Sequence, residues 1–234
     1  MSISRSHNVR NIIFVGFCCF LLLMVAIAFG LRSEGISHIP SSSVTSRNTE
    51  PAYDQVTINQ LDMIGVPHQA GIVTLPSEDL RAALTPQVVT ASWSQDAIDF
   101  KVPPGLTAII LEDEPLFQVT TAVAFEIKLI PVVGVYDRCE LLAESRQWAS
   151  IYALDNRMAG AMMAADCARV IHSINPAAII LLNSTTPPDE PTGRLGKSLR
   201  EQIREVGFSD NQIGGGTKDA FSKQLIESLV KILQ

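Results

Sequence analysis

Short apolar runs alternate with helix-like stretches along the chain from residue 106 onward. The runs are continuous and rich in β-branched residues, which is typical of strands buried on both faces. Because a helix-forming stretch separates each strand from the next, we expect a parallel sheet with helices on both faces, a three-layer α/β domain. The predicted strands are 107–111, 130–136, 150–154, 177–182 and a short one at 212–213, and the predicted helices are 116–128, 139–148, 159–174, 195–206 and 219–233.

Residues 56–102 give a more ambiguous pattern. Residues 71–75 predict a short strand, and Ser77 is a suitable cap for a helix that would end before Pro86. Residues 87–93 are rich in β-branched residues and predict another strand. The pattern leaves open whether this stretch joins the main sheet or forms a separate cap.

An uncharged apolar run of 20 residues, 12–31, stands near the N-terminus. A helix of that length matches a hydrocarbon core of about 30 Å. Arg5 and Arg10 precede the run and Arg32 follows it, and this bias favours an N-terminus in the cytoplasm. The pattern therefore predicts one N-terminal transmembrane helix that leaves the C-terminal domain outside, in the periplasm, and makes the inner membrane a partner.

A cleaved signal peptide is the alternative interpretation of this run. Residues 26–28 have the small-x-small pattern of a cleavage site, but the apolar run is longer than a usual signal core. We therefore favour a retained signal-anchor. The predicted organisation is a cytoplasmic N-terminus at 1–11, the anchor at 12–31, a flexible serine-rich linker at 32–54 and an extracytoplasmic domain at 55–234.

The charge of the chain is unevenly distributed. The whole chain has 18 basic and 24 acidic residues, a net charge of −6. The first 32 residues hold three arginines and no acid, so the rest of the chain carries −9. This acidity argues against a nucleic-acid partner and against attraction to anionic lipids.

Polar side chains follow the predicted strands, at the edge where parallel sheets bind ligands. A strand that reaches solvent also ends in polar residues, so the pattern alone is ambiguous. The acids nearest the strand ends suit a hard cation, but their convergence depends on the strand order, so a metal is left open. The predicted ligand-binding residues are Glu112, Asp113, Asp137, Arg138, Asp155, Asn156, Asn183, Ser184 and Arg194.

Other motifs give little chemistry. Residues 214–217 read Gly-Gly-Gly-Thr, which we interpret as a flexible connector rather than an anion-binding turn, because it has neither a Walker lysine nor dinucleotide spacing. No nucleophile elbow is present, and we predict no catalytic residue and no cofactor. Cys139 and Cys167 both fall in predicted helices, and whether they pair is left open.

The segments LTAIIL, IPVVGVYDR, ALDNRMAGAMMA, PAAIILLN and GRLGKSLREQIREVGF resemble the type I periplasmic-binding-protein superfamily, which includes sugar-binding proteins and LacI-type sensors. The resemblance implies a ligand cleft near Asp137 or Arg138, Asp155 with Asn156, and Arg194. Such proteins have two complete lobes, and this chain ends soon after its second-lobe helix. The resemblance therefore implies a partner-binding or sensory module.

A second resemblance is to divergent polysaccharide deacetylases, through the segments ILED, DNRMAGAMMAAD and LLNSTTP. It implies roles for Asp113, Asn156 and Ser184, although Arg157 or Met158 replaces the metal-binding histidine of that family. We therefore expect a non-catalytic, membrane-anchored domain that binds a small solute or a cell-envelope protein. The alternative is a deacetylase-like envelope protein, either a hydrolase acting on envelope polysaccharide or a relative that has lost catalysis.

Overall fold

The structure is a computed structural model, and it describes residues 59–62, 68–69, 72–73, 77–192 and 196–234. All of these belong to one compact unit, Thr49–Gln234. The predicted anchor, 12–31, and the predicted linker, 32–54, lie outside the described residues. Among the helices that are described, none has the length and apolar character needed to cross a bilayer.

Five parallel strands form the central sheet, in the order β2-β1-β3-β4-β5. This order is the flavodoxin-like one. β2 lies on one side of β1 and β3 to β5 lie on the other, so the direction of winding reverses after β2. A crevice therefore opens at the carboxyl ends of β1 and β3. The strands are β1 (Ala108–Leu111), β2 (Val132–Tyr136), β3 (Ile151–Leu154), β4 (Ile179–Ser184) and β5 (Ile213–Thr217).

Helices cover both faces of this sheet, which confirms the predicted parallel α/β fold. α4 and α8 pack on one face, with Phe117 and Leu229 in the core between them and the sheet. α5, α6 and α7 pack on the other face, where Tyr152 and Ile171 are fully buried. The helices are α1 (Ser77–Ala83), α2 (Pro86–Thr90), α3 (Gln95–Asp99), α4 (Pro115–Ile127), α5 (Cys139–Ser145), α6 (Ala164–Ile174), α7 (Leu199–Val206) and α8 (Lys223–Leu233).

The strand predicted at 87–93 is wrong, because α2 occupies this position. The Thr85 side chain caps α2 by accepting a hydrogen bond from the N–H of Val88, and Pro86 takes the first turn, where its missing N–H costs nothing. These two signals outweigh the β-propensity of the valines. Together with α1 and α3, α2 packs on the outside of the layer that α4 and α8 form, and Val89 and Trp93 are buried there. Residues 77–102 are therefore an N-terminal extension that adds no strand to the central sheet.

The connector predicted at 214–217 is also wrong, because these residues lie in β5. Gly215 has a φ of +97°, and a Cβ there would lie 2.0 Å from the carbonyl oxygen of Leu182. A Cβ on Gly216 would collide with the Gln224 side chain of α8. The glycines are therefore required by the close packing of β5 against β4 and α8, and not by a turn.

A disulfide joins Cys139 of α5 to Cys167 of α6, with the two Cα atoms 5.6 Å apart. Both cysteines are fully buried. The structure thus answers the question that the sequence left open. A bridge between residues 28 positions apart contributes about 3–4 kcal/mol by restricting the unfolded chain.

Candidate functional site: an acidic pocket with a buried lysine

Three carboxylates meet in the crevice between β1 and β3. Glu112 and Asp113 directly follow β1, and Asp155 directly follows β3. Because β1 and β3 are paired with Leu111 level with Leu154, the residues that follow the two strands are brought side by side. One oxygen of each carboxylate lies within 4.8 Å of the other two.

Lys218, the residue after β5, completes the pocket. Its ammonium lies 2.8 Å from Glu112, 3.1 Å from Asp155 and 3.3 Å from Glu114. The side chain is only 2% exposed, and the ammonium also lies over the Phe117 ring, 4.7 Å from its centre. A buried ammonium needs such partners, because leaving it uncompensated in the interior is costly.

The titration of this pocket follows from its burial. Burial raises the pKa of Glu112 to about 8, and the nearby charge of Asp155 adds to the effect. Burial likewise raises the pKa of Asp155 to about 6. Burial acts to lower the pKa of Lys218, but the carboxylates around it outweigh burial and raise this pKa above its usual value. The pocket therefore places four carboxyl groups around a single ammonium, which does not neutralise them all once they are ionised.

One carboxylate oxygen in the pocket has no partner. Oε1 of Glu112 accepts hydrogen bonds from the ammonium of Lys218 and the N–H of Glu114. Oε2 of Glu112 is buried and meets no donor among the residues that the structure describes. Buried oxygens are rarely left in this state, because the desolvation cost is about 1–3 kcal/mol. Together with the excess negative charge, this oxygen points to a cation as the missing partner.

The predicted residues that follow β4 and β3 lie around the same crevice. Asn183 and Ser184 end β4 and are buried, and the hydroxyl oxygen of Ser184 accepts a hydrogen bond from the N–H of Thr186 at 3.2 Å. The backbone N–H of Asn156 donates to Asp155 at 2.6 Å and so orients that carboxylate. Their part in ligand binding stays a prediction.

The predicted residues after β2 lie at the rim of the pocket. Asp137 and Arg138 form an ion pair with each other at 3.0 Å, and both side chains are nearly half exposed. This pairing lowers the pKa of Asp137. Burial raises the pKa of Asp113, and the charge of Asp137 adds to that increase. Arg194 lies outside the described residues.

Sequence reasoning missed Lys218 as a member of the site. The rule that found the acids, a polar residue directly after a buried strand, applies to Lys218 as well. It failed because Gly214, Gly215 and Gly216 were interpreted as a connector, so β5 was ended too early.

Comparisons with known proteins gave matches only among solved structures. No family model matches the chain, and no curated protein matches it. Among the structures that match is a LuxR-family two-component response regulator from Aurantimonas sp. SI85-9A1, with 17% identity, 55% of this chain and 84% of that chain covered, and a TM-score of 0.43. A CheY-like receiver domain protein from Methanospirillum hungatei JF-1 matches with 15% identity, 55% and 94% coverage and a TM-score of 0.43.

A further match is the BeF3-activated DrrB receiver domain, with 14% identity, 55% of this chain and 97% of that chain covered, and a TM-score of 0.43. With TM-scores below 0.5, these matches by themselves assign no function to the chain. By their descriptions they are a response regulator and two receiver-domain proteins, and not periplasmic binding proteins or deacetylases.

Both resemblances inferred from the sequence are therefore corrected. The described residues form one parallel sheet, without the second lobe that a cleft of the periplasmic-binding-protein type requires. The deacetylase resemblance gave no role to Glu112, Asp155 or Lys218, which form the pocket together with Asp113. The expected functions that rested on these resemblances, solute or envelope-protein binding and polysaccharide hydrolysis, are corrected with them.

The predicted location is contradicted as well. The matching structures named above are a response regulator and two receiver-domain proteins, and no described helix is able to span a membrane. The membrane-anchored, periplasmic assignment and the inner-membrane partner are therefore not carried further. The exclusion of nucleic acid rested on net charge alone and stays a prediction.

Proposed function

We propose that the domain is a receiver-type signalling module that binds a divalent cation and accepts a phosphoryl group on Asp155. The observation that carries the proposal is the convergence of three carboxylates and a buried lysine at the switch point of the sheet. The unpartnered Oε2 of Glu112 supports the cation independently. The proposal rests on this geometry and not on the structural matches. The sequence-derived extent of the domain, 55–234, is kept as part of it.

Glu112, Asp113 and Asp155 would hold the cation. Their donors are all carboxylate oxygens, a set that suits Mg²⁺ better than Zn²⁺, and the described residues bring no histidine to them. When bound, Mg²⁺ would neutralise charge on the phosphoryl oxygens and on the pocket.

Asp155 is placed to act as the nucleophile. One of its carboxylate oxygens would attack the phosphorus of a small acyl phosphate. The bond from phosphorus to the donor oxygen breaks, the donor leaves as a carboxylate, and no proton is gained or lost. Because the product is itself an acyl phosphate, the transfer is close to balanced in energy.

Lys218 would stabilise the transferred group. Its ammonium is 3.1 Å from Oδ2 of Asp155, so a phosphoryl group on this carboxylate would bring new anionic oxygens within its reach. Asn156 holds the carboxylate in place through its N–H. Ser184 keeps a hydroxyl hydrogen to donate to the same group, because its described hydrogen bond uses only the oxygen.

A second candidate function follows from the burial of Lys218. Its ammonium contacts three carboxylates within 3.3 Å and is almost fully enclosed. In this alternative the lysine is the resident cation of the pocket, and the domain acts as a protein-binding module that is never phosphorylated. Mg²⁺ would then bind only after the lysine is removed.

Fluorine NMR with beryllofluoride separates the two candidates, since this probe mimics a phosphoryl group on a carboxylate. With Mg²⁺ present, we expect a bound ¹⁹F resonance for the native chain and for Asp137→Asn, which removes a rim acid outside the pocket. We expect none for Asp155→Asn. Absence of a bound resonance in the native chain at saturating Mg²⁺ would overturn the proposal. Its appearance only in Lys218→Met would support the second candidate.

A further inference from the structure

The loop between β5 and α8, residues 218–222, is buried along its whole length. None of its five residues is more than 8% exposed. Connecting loops normally run over the surface, because their backbone N–H and C=O groups need partners that water supplies. The burial of this loop therefore requires that other parts of the chain provide those partners.

Residues from the N-terminal side of the chain supply the partners. The side-chain oxygen of Gln60 accepts a hydrogen bond from the N–H of Ala220 at 2.9 Å. The indole N–H of Trp93 donates to the carbonyl oxygen of Phe221 at 2.9 Å. Both Ala220 and Phe221 are buried, so these two contacts replace water at the loop. Trp93 of the N-terminal extension, together with Gln60 ahead of it in the chain, is thus bonded directly to the loop that carries the site lysine.

Hydrogen bonds within the loop and to the start of α8 also restrain it. The carboxylate of Asp219 accepts hydrogen bonds from the N–H groups of Phe221 and Lys223 at 3.0 and 3.1 Å. Ser222 adopts a φ of +50°. A residue other than glycine keeps this left-handed conformation only when its surroundings hold it firmly. A loop restrained in this way has little freedom to absorb a displacement of Lys218, so a displacement would reach Phe221.

We infer that this loop couples occupancy of the acidic pocket to the N-terminal extension. The hydrogen bond between Trp93 and the loop is the contact through which a change in the loop reaches the extension. The inference rests on the proposed function. A phosphoryl group on Asp155 gives Lys218 new anionic partners in place of Glu112 and Glu114, so the loop has two arrangements that differ in free energy with the state of the site. The extension therefore serves as the output element of the domain.

The two tryptophans of the chain permit a direct test. Trp93 is 6% exposed and bonded to the loop, whereas Trp148 is 55% exposed and precedes β3, at the opposite edge of the sheet from the site. The variant Trp148→Phe leaves Trp93 as the only indole, and Trp93→Phe leaves only Trp148. Each is titrated with beryllofluoride in the presence of Mg²⁺, with fluorescence and ¹⁹F NMR recorded on the same samples.

We expect the emission of Trp93 to change with the same midpoint as the bound ¹⁹F resonance. The emission of Trp148 should stay constant. If the ¹⁹F resonance appears in Trp148→Phe while the emission of Trp93 is unchanged, the inference is overturned and the proposed function stands. If no probe binds at all, both are overturned.

The reverse effect gives a test that does not depend on fluorescence. Because coupling between two sites is reciprocal, Gln60→Ala should change the affinity for beryllofluoride by about fivefold or more. Ser92→Ala is the matched control, since the buried hydroxyl of Ser92 has no hydrogen-bond partner among the described residues. Equal affinities for Gln60→Ala and Ser92→Ala, measured by the ¹⁹F titration, would contradict the coupling.

Discussion

Removal of the buried lysine should destabilise the domain in a pH-dependent manner. In Lys218→Met the aliphatic stem is largely kept, but the carboxylates of Glu112 and Asp155 lose the cation that lies within 3.1 Å of both. Removing one partner of a buried ion pair costs about 3–5 kcal/mol. Glu114 adds less, because its side chain is 32% exposed and solvent screens it.

The full cost applies only while the carboxyl groups are ionised. The pKa of Glu112 is already raised to about 8 and that of Asp155 to about 6, and loss of the lysine raises both further. Below about pH 5 the pocket therefore takes up protons, and the cost falls to that of the lost hydrogen bonds, about 1–3 kcal/mol. At about pH 8.5 it should reach about 3–5 kcal/mol.

Urea unfolding of the native chain and of Lys218→Met at these two pH values measures the difference. Lys128→Met is the control, because Lys128 is also buried but donates to the backbone carbonyls of Ile98 and Phe100. Its loss should cost about 1–3 kcal/mol with no such rise at high pH. A cost for Lys218→Met that is equal at both pH values would refute the electrostatic explanation.

Three further predictions concern the metal, the disulfide and β5. Because folding raises the pKa values of Glu112 and Asp155, protonation of these two groups stabilises the folded state. This contribution to stability is fully present below about pH 4 and is lost as the pH rises through about 6 and 8. Without Mg²⁺ the melting temperature should therefore fall over this interval, and the increase caused by Mg²⁺ should grow with pH as protons leave the ligands. Replacing Cys139 and Cys167 together by alanine should lower the free energy of unfolding by about 3–4 kcal/mol in urea titrations. Gly215→Ala should destabilise by more than about 3 kcal/mol, because its Cβ would overlap the backbone of β4.

Each of these has its own control. Calcium or Mg²⁺ that shifts the melting temperature of Asp155→Asn as much as that of the native chain would contradict the metal site. A reducing agent should leave the cysteine double variant unchanged while it destabilises the native chain. Gly105 has a φ of +89° and open space around it, so Gly105→Ala should cost only about 1 kcal/mol; an equal cost at Gly215 would contradict the steric explanation.

The apolar runs predicted the sheet because strands buried on both faces are continuous apolar segments, and Ile109 and Ala153 are buried from both sides as expected. The same rule named Glu112, Asp113 and Asp155 as residues that follow strands. Their convergence was not predictable, since it depends on β1 lying beside β3, and strand order is set by the packing of helices that are distant along the chain.

The errors at β5 have a physical cause in tertiary contacts. The glycines of β5 are required by the backbone of Leu182 and the side chains of α8, and nothing local distinguishes them from a turn. Lys218 was missed as a consequence. The contacts of Gln60 and of the N-terminal extension were equally hidden, because the partners of Gln60 and Trp93 lie more than a hundred residues away in sequence.

The most direct test of the central claim is covalent labelling of the full chain by a small acyl phosphate in the presence of Mg²⁺, followed by peptide mapping. We predict one phosphoryl group per chain, located on Asp155, absent without Mg²⁺ and absent in Asp155→Asn, while Asp137→Asn is labelled normally. A chain that binds Mg²⁺ but takes up no phosphoryl group, or takes it up at another residue, would contradict the assignment of Asp155 as the acceptor.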